Sequence, residues 1–220
     1  MQPNIYNFFK FLNQEEQRPI PFRAKLIYAS ETLTPQELNV EGDLDLENTP
    51  ITFLPEGLKV IGDLWLANCK NLTSLPEGLT VEGNLYLTDC ISLKKLPEGL
   101  TVESDLYLRS TPITSLPKDL KAEGSLDLED CKNLTSLPEG LKVVEGDLNL
   151  ANCTSLKELP KGLTVEGLLD LRNTPITSLP EGLTVGGNLY LGGTSLSTKT
   201  DEKIRDMIGP NGYINGKIFR

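Results

Sequence analysis

Between residues 38 and 197 the apolar positions form a pattern that returns every 20 to 22 residues. Within one return, Val81, Gly83, Leu85 and Leu87 fall on one side of the chain, and Glu82, Asn84, Tyr86 and Thr88 on the other. Alternation with a period of two predicts a half-buried strand. A second apolar pair follows the strand, here Leu93 and Leu96, and in all but the last unit its second member precedes a proline. Each unit therefore points about six aliphatic side chains one way. At roughly 1.5–3 kcal/mol for each one buried, units stabilise one another when stacked and bury almost nothing when alone.

Eight such units start at Leu38, Leu58, Leu79, Leu100, Leu120, Leu141, Leu163 and Leu183. The 20-residue units carry Thr-Pro-Ile-Thr after the strand, as at Thr49, Thr111 and Thr174, and longer ones carry Cys69, Cys90, Cys131 or Cys153 in the same slot. One unit of 22 residues has an additional residue in Lys142-Val143-Val144-Glu145-Gly146. Units this short leave no room for a helix on the return path. The recurring Leu-Pro-Glu-Gly-Leu is read as the corner that starts the next strand. Its proline fixes φ and removes a donor, and its glycine suits a positive φ, with Asp119 tolerated in that conformation. The second glycine of each unit, replaced by Ser104 in one, suits close backbone approach or a small bulge. The expected fold is a solenoid of mainly β character, with one parallel strand per repeat and no helix in the repeats.

The flanks differ from the repeats. Ile5, Phe8, Phe9 and Leu12 are spaced as one face of a helix starting near Pro3, so residues 1–37 are expected to form an N-terminal cap. Residues 198–220 combine a helix that begins after Thr200 and stops at Gly209-Pro210 with a turn signal at Asn215-Gly216. They are expected to form a C-terminal cap of helix plus hairpin. Residues 38–197 are the repeats between them.

The consensus Leu-x-Leu-x-x-(Cys/Thr)-x-(x)-(Leu/Ile)-x-x-Leu-Pro resembles a bacterial short-unit leucine-rich repeat. It is similar to the Leu-Pro class found in the repeat arrays of type III-secreted effectors. The resemblance implies a protein-binding solenoid that acts in a host cytosol after delivery by a route without a cleaved signal. Ligase-bearing relatives keep their catalytic cysteine in a separate downstream domain. These 220 residues contain no such domain, so no catalytic residue carries over.

Charge and composition narrow the chemistry. The chain has no histidine and a net charge of −10. The flanks carry 0 and +2, which leaves −12 on the repeats. Nucleic-acid and anionic-membrane partners, both of which need clustered Lys and Arg, are not expected. The N-terminus lacks the layout of a secretory signal, so the chain is expected to be cytoplasmic where it is made. No catalytic residue, cofactor or metal site is assigned. The carboxylates recur on every unit without forming a distinct pair, and zinc-type cysteine spacing is absent. The cysteines are read as buried thiols bonding to loop backbone, with no disulfides.

The outward strand positions are not dictated by the core. They place Trp65, Tyr86 and Tyr107 on three consecutive units, flanked by Asp63 and Asp105 and beside Arg109. Trp, Tyr and Arg dominate binding hot spots, which makes these six residues the candidate partner surface. The expected partner of this monomeric scaffold is a protein with apolar anchors and a basic rim. A structural spacer, adhesin or particle component is the alternative, in which the rings simply cover one another.

Overall fold

The computed structural model describes residues 21–220 except Gly140 and Val144. The helix expected from Pro3 lies outside these residues. The described chain winds into a parallel β-solenoid with a continuous aliphatic core and two short helices. In the third coil, Leu79, Val81, Leu85, Leu87, Leu93 and Leu96 are all buried, as the alternation requires.

Each coil contributes two short strands rather than the single strand expected. In the third coil these are Thr80–Val81 and Leu85–Tyr86. The first strands of successive coils pair in parallel as a five-stranded sheet, from Asn39–Val40 to Lys121–Ala122. A four-stranded sheet continues from Lys142–Val143 to Tyr213–Ile214. The second strands form one nine-stranded sheet from Leu44–Asp45 to Ile218–Phe219.

The bend between the two strands has a steric cause. A Cβ on Gly83 would lie 2.5 Å from Asp63 Oδ1 and 2.6 Å from the Gly62 carbonyl carbon. The backbones approach so closely there that the Gly83 N–H donates to Gly62 O at 3.2 Å. Where Ser104 takes this slot, its hydroxyl donates to Asn84 Oδ1 at 2.8 Å.

A side-chain ladder runs along the bend. Asp43 Oδ1 accepts the Asp63 N–H at 2.9 Å, and Asp63 Oδ1 accepts the Asn84 N–H at 2.7 Å. Asn84, Asp105, Ser125 and Asp147 each accept in the same way from the next coil. Leu168 interrupts the series, and Asn188 resumes it toward Lys217. The ladder supplies acceptors to amides that the bend has turned out of the sheets.

Among the described residues, the corners follow the sequence reading with one exception. Gly57, Gly78, Gly99, Gly162 and Gly182 have φ between 65° and 78°. Asp119, expected to share that conformation, does not have a positive φ. Its carboxylate instead accepts the Gly99 N–H at 2.8 Å. A second left-handed position follows each outward strand, at Asn48, Asn68, Asp89, Ser110, Asp130, Asn152 and Asn173, with φ of 57–62°. Asn and Asp tolerate this conformation best among residues with a Cβ, and they fill six of the seven places.

Helix α1, Phe22–Tyr28, begins after Pro21 and buries Leu26. Lys25 on this helix meets Glu37 Oε1 at 2.6 Å, and Glu37 Oε2 accepts the Thr34 N–H at 2.9 Å, so the helix is tied to the first corner. Helix α2, Asp201–Ile208, is capped by Thr200, whose hydroxyl accepts the Lys203 N–H. Ile204 and Ile208 of α2 are buried. The hairpin expected beyond it does not form. Tyr213–Ile214 and Ile218–Phe219 both pair in parallel with the preceding coil, and Asn215-Gly216 is the inter-strand bend once more. A Cβ on Gly216 would lie 2.4 Å from Gly187 O, the crowding seen at Gly83.

Among the described residues the first-strand layer is broken once, between Lys121–Ala122 and Lys142–Val143, at the start of the 22-residue unit. In neighbouring coils the N–H of the first outward glutamate donates to the carbonyl of the valine position, as Glu103 does to Val81 and Glu166 to Val143. Glu145 donates instead to Glu123 O, one residue further along. Among the described residues, this one-residue offset is confined to that layer. The nine-stranded sheet crosses the same coils without interruption.

Candidate functional site: the outward face of the nine-stranded sheet

The register of the nine-stranded sheet sets Asp45 against Trp65, Trp65 against Tyr86, Tyr86 against Tyr107 and Tyr107 against Asp127. Because the strands are parallel and in register, side chains on this face stand in columns along the rod. The Trp65 and Tyr86 rings stack with centroids 3.9 Å apart and planes 11° apart. Tyr86 and Tyr107 stack at 4.8 Å and 3°. All three rings are half-buried and none turns into the core. The inner faces of the ladder are engaged with one another. Each ring keeps part of its surface open to solvent.

The flanking residues are placed less simply than the sequence suggests. Asp63 and Asp105 belong to the bend ladder, where each uses Oδ1 to accept an amide from the next coil. Asp105 Oδ2 also accepts the Tyr107 hydroxyl at 2.8 Å. Burial and the hydrogen bond to this carboxylate push the Tyr107 hydroxyl up to about 12. Burial, followed by the charges of Asp63 and Asp105, raises Tyr86 above its usual value. Both phenols are therefore neutral donors at physiological pH. Arg109 extends to the next coil, 3.1 Å from Glu129 Oε1 and 3.9 Å from Asp130 Oδ2.

A second aromatic pair closes the same column. Tyr190 and Phe219 stack at 4.8 Å and 10°. Tyr190 is visible in the repeat pattern, whereas Phe219 joins the column only because residues 213–219 form a further coil rather than a hairpin. The aligned spacing of Tyr-Ile-Asn-Gly-Lys-Ile-Phe with Thr-Val-Gly-Gly-Asn-Leu-Tyr was the signal for it. Arg172 lies 5.7 Å from the centre of the Tyr190 ring. Its Nε is 2.9 Å from Asp170 Oδ2, and Asp170 is itself buried.

The cysteines are all buried and unpaired, with no disulfides. Each thiol donates to the carbonyl of a leucine in the preceding coil, as Cys90 does to Leu66 O at 3.1 Å. Thr49, Thr111 and Thr174 fill the same slot and bond a leucine carbonyl of their own coil. Burial pushes Cys90 up to about 12 and Cys131 up to about 11, so these thiols are inert near neutrality. Among the described residues no three potential ligand side chains converge as a metal site. No described helix is long and apolar enough to cross a membrane. Compared with protein-family models, curated proteins and solved structures, the chain finds no significant match.

Proposed function

We propose that this chain is a non-enzymatic protein-binding scaffold of the leucine-rich-repeat kind, and that its partner docks on the outward face of the nine-stranded sheet. Asp63, Trp65, Tyr86, Asp105, Tyr107 and Arg109 are the centre of that surface. One observation carries the reading: three large rings stand in line on a solvent-facing sheet whose other positions are mostly polar. A solenoid needs only small or polar residues there to fold, as in the coils with Asp127 and Asn149. Rings that are held rigid by stacking bind with little loss of side-chain entropy. The acidic repeats suit a partner with a basic rim. The resemblance to secreted effectors supports action on a host protein.

The test is affinity capture with the wild-type chain and with a Trp65→Ser, Tyr86→Ser, Tyr107→Ser variant, followed by titration of the purified captured protein. Capture by the wild type and its loss in a variant that still melts cooperatively are expected. Equal binding by a folded variant would overturn the reading. The mutual cover of the rings also supports the structural alternative, for which self-assembly of the wild-type chain without any partner is the expected result.

A further inference from the structure

The Tyr190 end of the column shows what a terminal ring of this face can hold. Asp170 and Tyr190 are register neighbours on adjacent strands. Arg172, two residues after Asp170, places its guanidinium near the Tyr190 ring while bonding the Asp170 carboxylate through Nε and Nη2. Ring and carboxylate together form a step that is occupied from within by a cation.

The ladder Trp65–Tyr86–Tyr107 also meets a carboxylate at each end, in the order of Asp170–Tyr190 at the Asp45 end and in the reverse order at the Asp127 end. At one end Asp45 neighbours Trp65, and at the other Asp127 neighbours Tyr107. Neither has an internal arginine in the place of Arg172. The residue two positions after Asp45 is Glu47, and the residue two positions after Asp127 is Glu129. Glu129 is engaged with Arg109 of the preceding coil. Asp45 and Asp127 each accept the amide two residues on through Oδ1, at 2.9 and 3.0 Å. Neither forms an ion pair among the described residues. Burial is the largest influence on the Asp127 carboxyl and raises it above its usual value, opposed by the Glu129 amide, the charge of Arg109 and the side chain of Asn149.

Resting on the reading above, we propose that the Asp45–Trp65 and Tyr107–Asp127 steps are two guanidinium sites, and that the partner is a protein segment that presents two arginines to them. Arginine suits both parts of each step, because its planar guanidinium stacks on an aromatic face and pairs with a carboxylate. The carboxylates of the two steps, Asp45 and Asp127, are separated by four strand spacings, about 19 Å. An extended segment with arginines about six residues apart spans that distance. The basic rim inferred for the partner thereby becomes a specific pair of side chains.

The chain has a single tryptophan, so Trp65 emission reports the site directly. The probe is a synthetic Gly/Ser peptide carrying two arginines six residues apart, compared with the same peptide carrying citrulline, which keeps the shape and lacks the charge. A saturable change in Trp65 emission with the arginine peptide, and none with citrulline, is expected. An Asp45→Asn, Asp127→Asn variant keeps the amide acceptors and should bind roughly ten-fold more weakly or less. Glu47→Arg reproduces the Asp170–Arg172 arrangement at the first step and should also compete out the peptide there. Equal response to citrulline, or unchanged binding by both folded variants, overturns the proposal. A captured partner that depends on Trp65, Tyr86 and Tyr107 yet tolerates all of these substitutions overturns the arginine sites and leaves the scaffold reading standing.

Discussion

Asp43, Asp63, Asn84, Asp105, Ser125 and Asp147 look like surface charge and polarity in the sequence, yet each one carries a backbone amide of the next coil. Leu168 is the exception, and it offers no acceptor to the Asn188 amide. Leu168→Asn restores one and is expected to stabilise the chain by about 0.5–1.5 kcal/mol, read as a rise in thermal midpoint. The cysteines act at the same scale. Their folded-state pKa values, about 12 for Cys90 and about 11 for Cys131, lie above the roughly 8.5 of an unfolded thiol. Above that unfolded value the unfolded chain loses thiol protons that the folded chain keeps, so the thiol contribution favours unfolding as pH rises. Stability should be flat in this respect below pH 8 and decline from about pH 9 upward. Chemical denaturation between pH 7 and 10.5, compared with a variant carrying threonine at all four cysteine positions, checks the sign and isolates the thiols.

At the level of the element, the bend between the paired short strands decides the shape of a coil. Gly83→Ala forces a methyl group against Gly62 backbone atoms less than 3 Å away and is expected to cost about 1–3 kcal/mol. Gly42→Ala is the matched control, because a methyl group there has nothing within 4 Å of it in the first coil, and it should be nearly neutral by urea titration. The alternation of Val81, Leu85 and Leu87 made the inward face legible in the sequence, and the Leu-Pro corners made the period legible. The bend was only half legible. The glycine announced close approach, but alternation continues unbroken through Gly83 and conceals that the hydrogen-bonded strands stop on either side of it. The C-terminal coil differs from its sequence expectation for a related reason. Asn-Gly is a hairpin signal when its flanking strands have no other partner, whereas here Thr184–Val185 and Leu189–Tyr190 already offer open edges to pair with. Helix α1 leaves little trace in the sequence, because its seven residues show a single turn of apolar spacing, from Phe22 to Leu26.

Across the whole molecule, the nine-stranded sheet spans about 38 Å at the usual strand spacing and keeps its register past the point where the other layer slips. The continuity of that sheet aligns residues from separate coils into one binding column. The column was legible as a list of positions, because a period-two strand fixes which side chains face outward. The stacking distances, the ties of Asp63 and Asp105 to the bend, and the turn of Arg109 toward Glu129 depend on rotamers and neighbours that no repeat pattern encodes. The most direct test of the central claim is acrylamide quenching of Trp65 with and without saturating purified partner. A bound partner on this face should shift the emission to the blue and lower the quenching constant several-fold. Unchanged emission and quenching in a complex shown to be fully formed would place the partner elsewhere on the rod and contradict the account.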